Sequence, residues 1–378
     1  MTLDWLPRDN RIRDHSLWGM EHFGTEPPCI VYEEKPIIDP DGNPVKGLSS
    51  AWITLNNPDE FNAYTTQMEK GMIAGFNRAS TSRGVVAVVL TGAGTRAFCS
   101  GGSIKDLAEY YSTRPHEYYQ SADLLNGMVD AILMCRKPTI CRVNGLRVAG
   151  GQALGLPCDL TVASDMAVFG QAEARNGSAP LAGPTSFLPW YLSIEDAMWL
   201  CTTCDMWSSY KMLHKNLVSK VVPVLKQGDK FIRNPMVITD RWLEDGEIVY
   251  GEFVHGDEAK KKAKTLVKEL PVDLSLLDKA VNDILWALNN TFPSGLMRSV
   301  ESIRMKKRSF WDVAKNDERA YLSLNMQGDA FMGFNSFYTK DMTGKGNIDY
   351  IKLRQMIAEG HPYNEELFTA VMPRPKQK

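Results

Sequence analysis

Short apolar runs alternate with amphipathic stretches through the first 224 residues. GVVAVVLTG (84–92), PTICRVNG (138–145) and CDLTVASD (158–165) have the length and β-branched content of strands buried on both faces. IVYEEKP (30–36) and SAWITLNN (50–57) predict two more strands, joined by a long loop with a turn at Asp41-Gly42. TTQMEKGMIAGFNRAS (65–80) predicts a helix: Thr65 is a suitable N-cap, and Met68, Met72 and Phe76 recur at four-residue spacing. Residues 116–136 read as another helix and 150–156 as a short one. Ala167–Gln171 and LVSKVVPV (217–224) read as the last strands.

The pattern then changes. Residues 225–262 are charged, with Gly228, Gly246, Gly251 and Gly256 as breakers, and read as an insertion or linker. From residue 263 the period is helical. Leu277, Val281, Ile284, Leu285 and Leu288 share one face, and 293–312 and 316–337 predict two separate helices. Residues 1–28 show no period and read as an extension, and the tail from about Pro373 is polar. The expected organisation is an extension (1–28), a mixed α/β core (29–224), the insertion (225–262) and a helical part (263–378). The last is suited to capping a site or building an oligomer interface.

Composition narrows the partners. The chain is 44% hydrophobic and 23% charged with a net charge of −2, which argues against nucleic acid and anionic membrane surfaces. No run reaches the apolar length of a membrane span, and MTLDWLPRDNRIRDHS is too polar for a signal peptide, so a cytoplasmic location is expected. Seven scattered cysteines read as reduced thiols. The one CxxC, Cys201 with Cys204, lacks a second ligand pair and reads as packing, so no metal is expected.

Two stretches share a design. In TGAGTRAFCSGGSIKDL (91–107), a buried strand runs into a Gly-rich loop, and Gly101-Gly102 lead into a helix. In VNGLRVAGGQALGLPCD (143–159), Gly150-Gly151 do the same. Singly, each is an ordinary strand-to-helix turn. Together they offer two unsatisfied N–H groups that can converge on one oxygen.

LNNPDEFNAY (55–64), the first glycine loop, the second with its following VFGQAE, and the closing LVSKVVP stand in an order and spacing that resemble the crotonase (enoyl-CoA hydratase/isomerase) family. The resemblance runs from about residue 50 to 224. It implies an α/β spiral of ββα units, trimers that pair into hexamers, and a coenzyme A thioester as substrate, with no separate cofactor. It assigns the oxyanion-hole N–H groups to Gly102 and Gly150. It places Arg96 and Lys105 where the family directs basic residues toward CoA phosphates, with plain surface charge as the alternative for Arg96. Hydratases of the family carry one glutamate after the second glycine loop, where this chain has Ala153. They carry another where this chain has Glu173, which becomes the expected acid–base residue. Gly177-Ser178 matches a branch of the family that makes or breaks a C–C bond alpha to the thioester. In that branch Ser178 would contact a substrate keto group, with loop capping as the alternative. An aspartate frequent there is replaced by Pro180. With the chain's length, these features imply a hydrolase that opens a cyclic ketone ring.

A second acid–base group is expected, because two waters attack different carbons, and His116, Tyr118, Tyr119 or the C-terminal helices with Trp311 and Phe334 are candidates. Competing expectations are a hydratase or isomerase of another acyl-CoA, a silent acyl-CoA-binding subunit, and a serine peptidase using Ser178 with His214.

Overall fold

The computed structural model describes residue 3 and residues 5–13, 29–340 and 348–374. Most of the expected N-terminal extension (14–28) and the last four residues of the polar tail lie outside the described residues.

Two sheets share the strands. The larger has the order β1 (Ile30–Ile38), β2 (Pro44–Leu55), β3 (Val85–Gly92), β5 (Thr139–Val143), β7 (Leu160–Ser164), β10 (Lys220–Val222). The smaller has the order β4 (Ala97–Cys99), β6 (Leu146–Val148), β8 (Val168–Gly170), β9 (Met206–Ser208). β1 and β2 are antiparallel; the remaining pairs of the larger sheet are parallel. The chain thus climbs as a spiral: β3 then β4, β5 then β6, β7 then β8, each turn giving one strand to each sheet. The three apolar runs form β3, β5 and β7. Val88, Val89 and Leu90 are fully buried, and each such side chain contributes about 1.5–3 kcal/mol.

The expected long loop after β1 is instead a five-residue turn. β2 begins at Pro44, and Gly42 takes φ 88° in the turn. The first residues of β2 pair with β1 at the open edge of the sheet with their side chains largely in solvent, so they carry no apolar signal.

Helices cover both faces of the larger sheet. On one side lie α1 (Thr66–Thr81), which Thr65 caps as expected, and α3 (Pro115–Leu133). Between them, α2 (Ile104–Asp106) runs into a π-turn, Leu107–Tyr111. α4 (Gly150–Gly155), α5 (Pro184–Tyr191), α6 (Ile194–Thr203) and α7 (Ser209–His214) follow later turns of the spiral. Residues 225–256 form two small hairpins, β11–β12 (Leu225–Gln227, Lys230–Ile232) and β13–β14 (Leu243–Glu244, Glu247–Ile248), turning at Gly228 and Gly246. α8 (Asp257–Glu269) leads to α9 (Ser275–Asn289). α9 lays Leu277, Val281 and Leu285 on Val89, Ile140 and Val162, the sheet's other face.

The two helices expected at 293–312 and 316–337 are divided elsewhere. α10 runs unbroken from Pro293 to Asn325, and α11 spans Asp329–Tyr338. The charged stretch Asn316-Asp317-Glu318 carries no glycine or proline to stop a helix, whereas Gly328 does. Residues 5–13 pack onto this region: Leu6 joins Phe331 and Met332, and Arg8 donates to Ala108 O (2.9 Å).

Candidate active site

The two glycine loops meet. A Cβ on Gly101, whose φ is 105°, would lie 3.0 Å from the Gly150 nitrogen, so only glycine permits the approach. Ala149, the residue before α4, takes φ 49°, a strained conformation at the junction of the two loops. Among the described residues no loop or turn carbonyl accepts from Gly102 or Gly150 N–H, and the first N–H of a helix has no intrahelical partner. Both glycines line a cavity of about 560 Å³.

Glu173 lines the same cavity, at the start of the turn after β8. It is half-buried in the wall. Loss of water pushes its pKa from 4.5 to about 7, while backbone hydrogen bonds at Ala172 and Glu173 hold the rise back. The amide of Gln171, fully buried beside it, lies 3.0 and 3.1 Å from the two carboxyl oxygens and satisfies them when its nitrogen is the atom that faces them. The outcome is an oriented carboxyl that exchanges a proton near neutrality, the property a general acid–base group needs.

Lys105, Ser178 and Ala153 also line the cavity. Lys105 is exposed at its rim. Ala153 is fully buried and leaves wall space where a longer side chain would project. The structure does not bring Arg96 to the wall. Its guanidinium donates to Pro58 O (2.8 Å) and covers the Phe61 ring at 4.4 Å, so it braces a loop. Tyr118 and Phe334 reach the cavity; His116, Tyr119 and Trp311 do not. Trp311 is spent on Asp130 (2.7 Å), and Tyr119 accepts from Arg319 (2.7 Å). His214 packs on Trp242 and Tyr250 away from the cavity, so Ser178 has no histidine partner among the described residues. Among them, too, no cluster of three or more His, Cys, Asp or Glu could hold a metal ion, and all seven cysteines are free thiols.

The C-terminal helices build part of the site. Glu318 of α10 accepts from Ala182 N (2.8 Å) and Thr185 Oγ1 (3.1 Å), fixing the loop that carries Ser178, Ala179 and Leu181 along the cavity. Lys307 donates to the carbonyls of Leu156, Pro157 and Cys158 (2.7–3.3 Å), the far end of α4. Leu322, Phe334, Phe337 and Tyr338 close the wall. Gly177, with φ 74°, packs against the start of α11 so closely that a Cβ would strike the Asp329 carbonyl. Glu318, Lys307 and Gln171 were invisible in the sequence, because their partners are either far along the chain or apparent only once a cavity exists.

The sequence pattern of the enoyl-CoA hydratase/isomerase family matches residues 47–284. The chain belongs to this family. Its crotonase fold is shared with solved enoyl-CoA hydratases from Mycobacterium avium subsp. paratuberculosis K-10 (TM-score 0.58, 18% identity, 82% of this chain and 96% of that one) and Bacillus halodurans (TM-score 0.59, 16% identity, 81% and 99%). Curated members of the crotonase family resemble it over nearly their whole length. A protein of Syntrophus aciditrophicus named 6-oxocyclohex-1-ene-1-carbonyl-CoA hydrolase is 55% identical over 100% of both chains. Proteins of the same name from Geobacter metallireducens and Thauera aromatica are 44% and 45% identical, over 96% and 92% of this chain and 95% and 93% of theirs.

Proposed function

We propose that this chain is a ring-opening hydrolase of 6-oxocyclohex-1-ene-1-carbonyl-CoA. The observation that carries the reading is one cavity holding two free glycine N–H groups, a near-neutral Glu173 and the small Ala153, in a chain matched end to end by relatives of that name.

The thioester oxygen sits between the N–H groups of Gly102 and Gly150. Glu173 takes a proton from the first water as its oxygen bonds to ring carbon 2. The electron pair moves to the thioester oxygen as an enolate, and Glu173 returns the proton to carbon 1. A second water, deprotonated by Glu173, adds to the ketone at carbon 6. The bond between carbons 1 and 6 breaks and its electrons return to the same enolate. Carbon 6 leaves as a carboxylic acid, and carbon 1 takes the proton back. Two waters are consumed and 3-hydroxypimeloyl-CoA forms. Both stages reuse one oxyanion hole, whose donors are fixed before charge develops. Lys105, at the rim, suits a CoA phosphate.

The reaction belongs to the anaerobic breakdown of benzoyl-CoA in the cytoplasm. A homo-oligomer, a trimer or a dimer of trimers, is supported by exposed Trp190, Ile194, Met198, Trp199 and Phe310 on α5, α6 and α10. Among the described residues no helix is long and apolar enough to cross a membrane.

Incubation with the cyclic oxo-ene ester, read by mass, tests the reading. Gain of two waters with CoA still attached is expected. Gain of one water, together with brisk hydration of crotonyl-CoA, would make the chain an ordinary hydratase. Tight binding without turnover would make it a binding subunit.

A further inference from the structure

The mechanism above leaves three polar groups of the cavity wall unused. Glu69, on α1, is 5% exposed, lines the cavity, and has a carboxyl oxygen buried with no hydrogen-bond partner. Tyr64 and the half-buried Tyr118 line it too, and no described residue hydrogen-bonds to either hydroxyl. The neighbouring wall is apolar, from Ala122, Leu125, Leu322 and Phe334. Buried polar atoms are nearly always paired, and leaving one unpaired costs about 1–3 kcal/mol. The unpaired Glu69 oxygen, with two tyrosines lining the same cavity, points to an outside partner.

Their positions say where that partner lies. Tyr64 is within electrostatic reach of both Glu69 and Glu173, and a Cβ on Gly150 would collide with its hydroxyl. It stands beside the oxyanion hole, with Tyr118 and Glu69 in reach of one another beyond it. Tyr111, also near Glu69, is already bonded to Thr66 (3.0 Å). Burial pushes the Glu69 pKa far up; Asp106 adds to the push, and Lys70 and Arg13 oppose it. Burial thus favours the protonated carboxyl of Glu69, which can donate an O–H as the two tyrosine hydroxyls do. A cluster of donors recognises an oxygen that is, or becomes, negative.

Resting on the ring-opening reading, we propose that Glu69 with the hydroxyls of Tyr64 and Tyr118 forms a second oxyanion site, which holds the ring ketone oxygen. When the second water adds to carbon 6, this oxygen becomes an alkoxide. The three donors stabilise it by hydrogen bonds and keep their protons. As the bond between carbons 1 and 6 breaks, the charge passes to the thioester enolate between Gly102 and Gly150. Hydration at carbon 2 places only a share of the enolate charge on the ketone oxygen, and an ester that lacks the ketone needs none of the three.

The test is Glu69→Leu, which removes the donor at similar volume, with two substrates, read by mass. On cyclohex-1-ene-1-carbonyl-CoA, which has no ketone, the variant should add one water within threefold of the wild-type rate. On the oxo-ene ester the two-water, ring-opened product should form about a hundredfold more slowly. Ring opening within threefold of wild type would overturn the proposal, as would equal loss of both reactions in a folded variant that still binds CoA esters. If Glu69→Leu yields no folded protein, Glu69→Asp decides on the same substrates. It keeps the acid but withdraws it by a methylene, and ring opening must fall more than hydration. Failure of wild type to open the ring at all would instead remove the ring-opening reading.

Discussion

The spiral core and the C-terminal helices build one cavity by different means. The core brings reactive groups: Gly102, Gly150 and Glu173 arise from loops at the ends of buried strands, within about eighty residues of chain. The helices bring geometry: Glu318, Lys307 and Phe334 act across more than a hundred residues, as struts and wall. Chemistry placed on strand ends is rigid from the start. Shape supplied by a remote helix can change without touching the chemistry, and in this chain it closes the cavity around Ser178 and Leu181.

The comparison is broken most severely at Glu173. Glu173→Gln should cut turnover about 10²–10⁴-fold while CoA-ester affinity changes little, measured by steady-state kinetics and by calorimetry. Activity near wild type would move the chemistry out of the core. The same group sets two pH dependences. With a pKa of about 7, the base form needed to activate water is lost as pH falls, so kcat should decline below pH 7 with one proton. For stability the sign is opposite. The folded chain holds this proton more tightly than the unfolded chain, so the contribution is complete below the unfolded value of 4.5 and is lost as pH rises through 7. Glu173→Gln should therefore raise the Tm at pH 8 and leave it nearly unchanged at pH 4.5.

Ala153→Glu comes next. It adds a carboxyl to the wall where the ring is expected, and ring opening should fall tenfold or more, with less effect on an open-chain ester. Equal effects would remove the space argument for Ala153. Glu318→Ala tests the strut. It leaves the buried Ala182 N–H unpaired, at a cost of about 1–3 kcal/mol. KM should rise more than kcat falls, because a binding wall has loosened while Glu173 is intact. The smallest effect separates two basic residues: Lys105→Ala should raise KM for the CoA ester a few-fold, and Arg96→Ala should leave it unchanged. The reverse would restore Arg96 to the CoA site.

Legibility in the sequence follows the same division. Buried strands write themselves as apolar runs, so β3, β5 and β7 stand out, and the paired glycine loops follow from their flanking strands. Glu173 is identifiable from its place in that register. The α10–α11 boundary was missed because amphipathic charge pattern says little about where a helix stops when only one glycine ends it. Glu318 looks like one more charge on a solvated helix until Ala182 is folded against it, 136 residues away. Glu69, in MEK, looks the same until α3 and the first glycine loop bury it. Arg96 sits at the expected position, but Phe61 offers its cation a ring, which spacing does not reveal.

The central claim is that one thioester oxyanion hole and one carboxylate serve the addition of two waters at two ring carbons. Turnover of 6-oxocyclohex-1-ene-1-carbonyl-CoA in ¹⁸O-water, with the label located by fragmentation of the product, tests it most directly. One ¹⁸O in the alcohol at carbon 2 and one in the new carboxyl at carbon 6, with the thioester intact, is the predicted result. Label in the acyl carbonyl carboxylate together with free CoA would mean thioester hydrolysis and would contradict it.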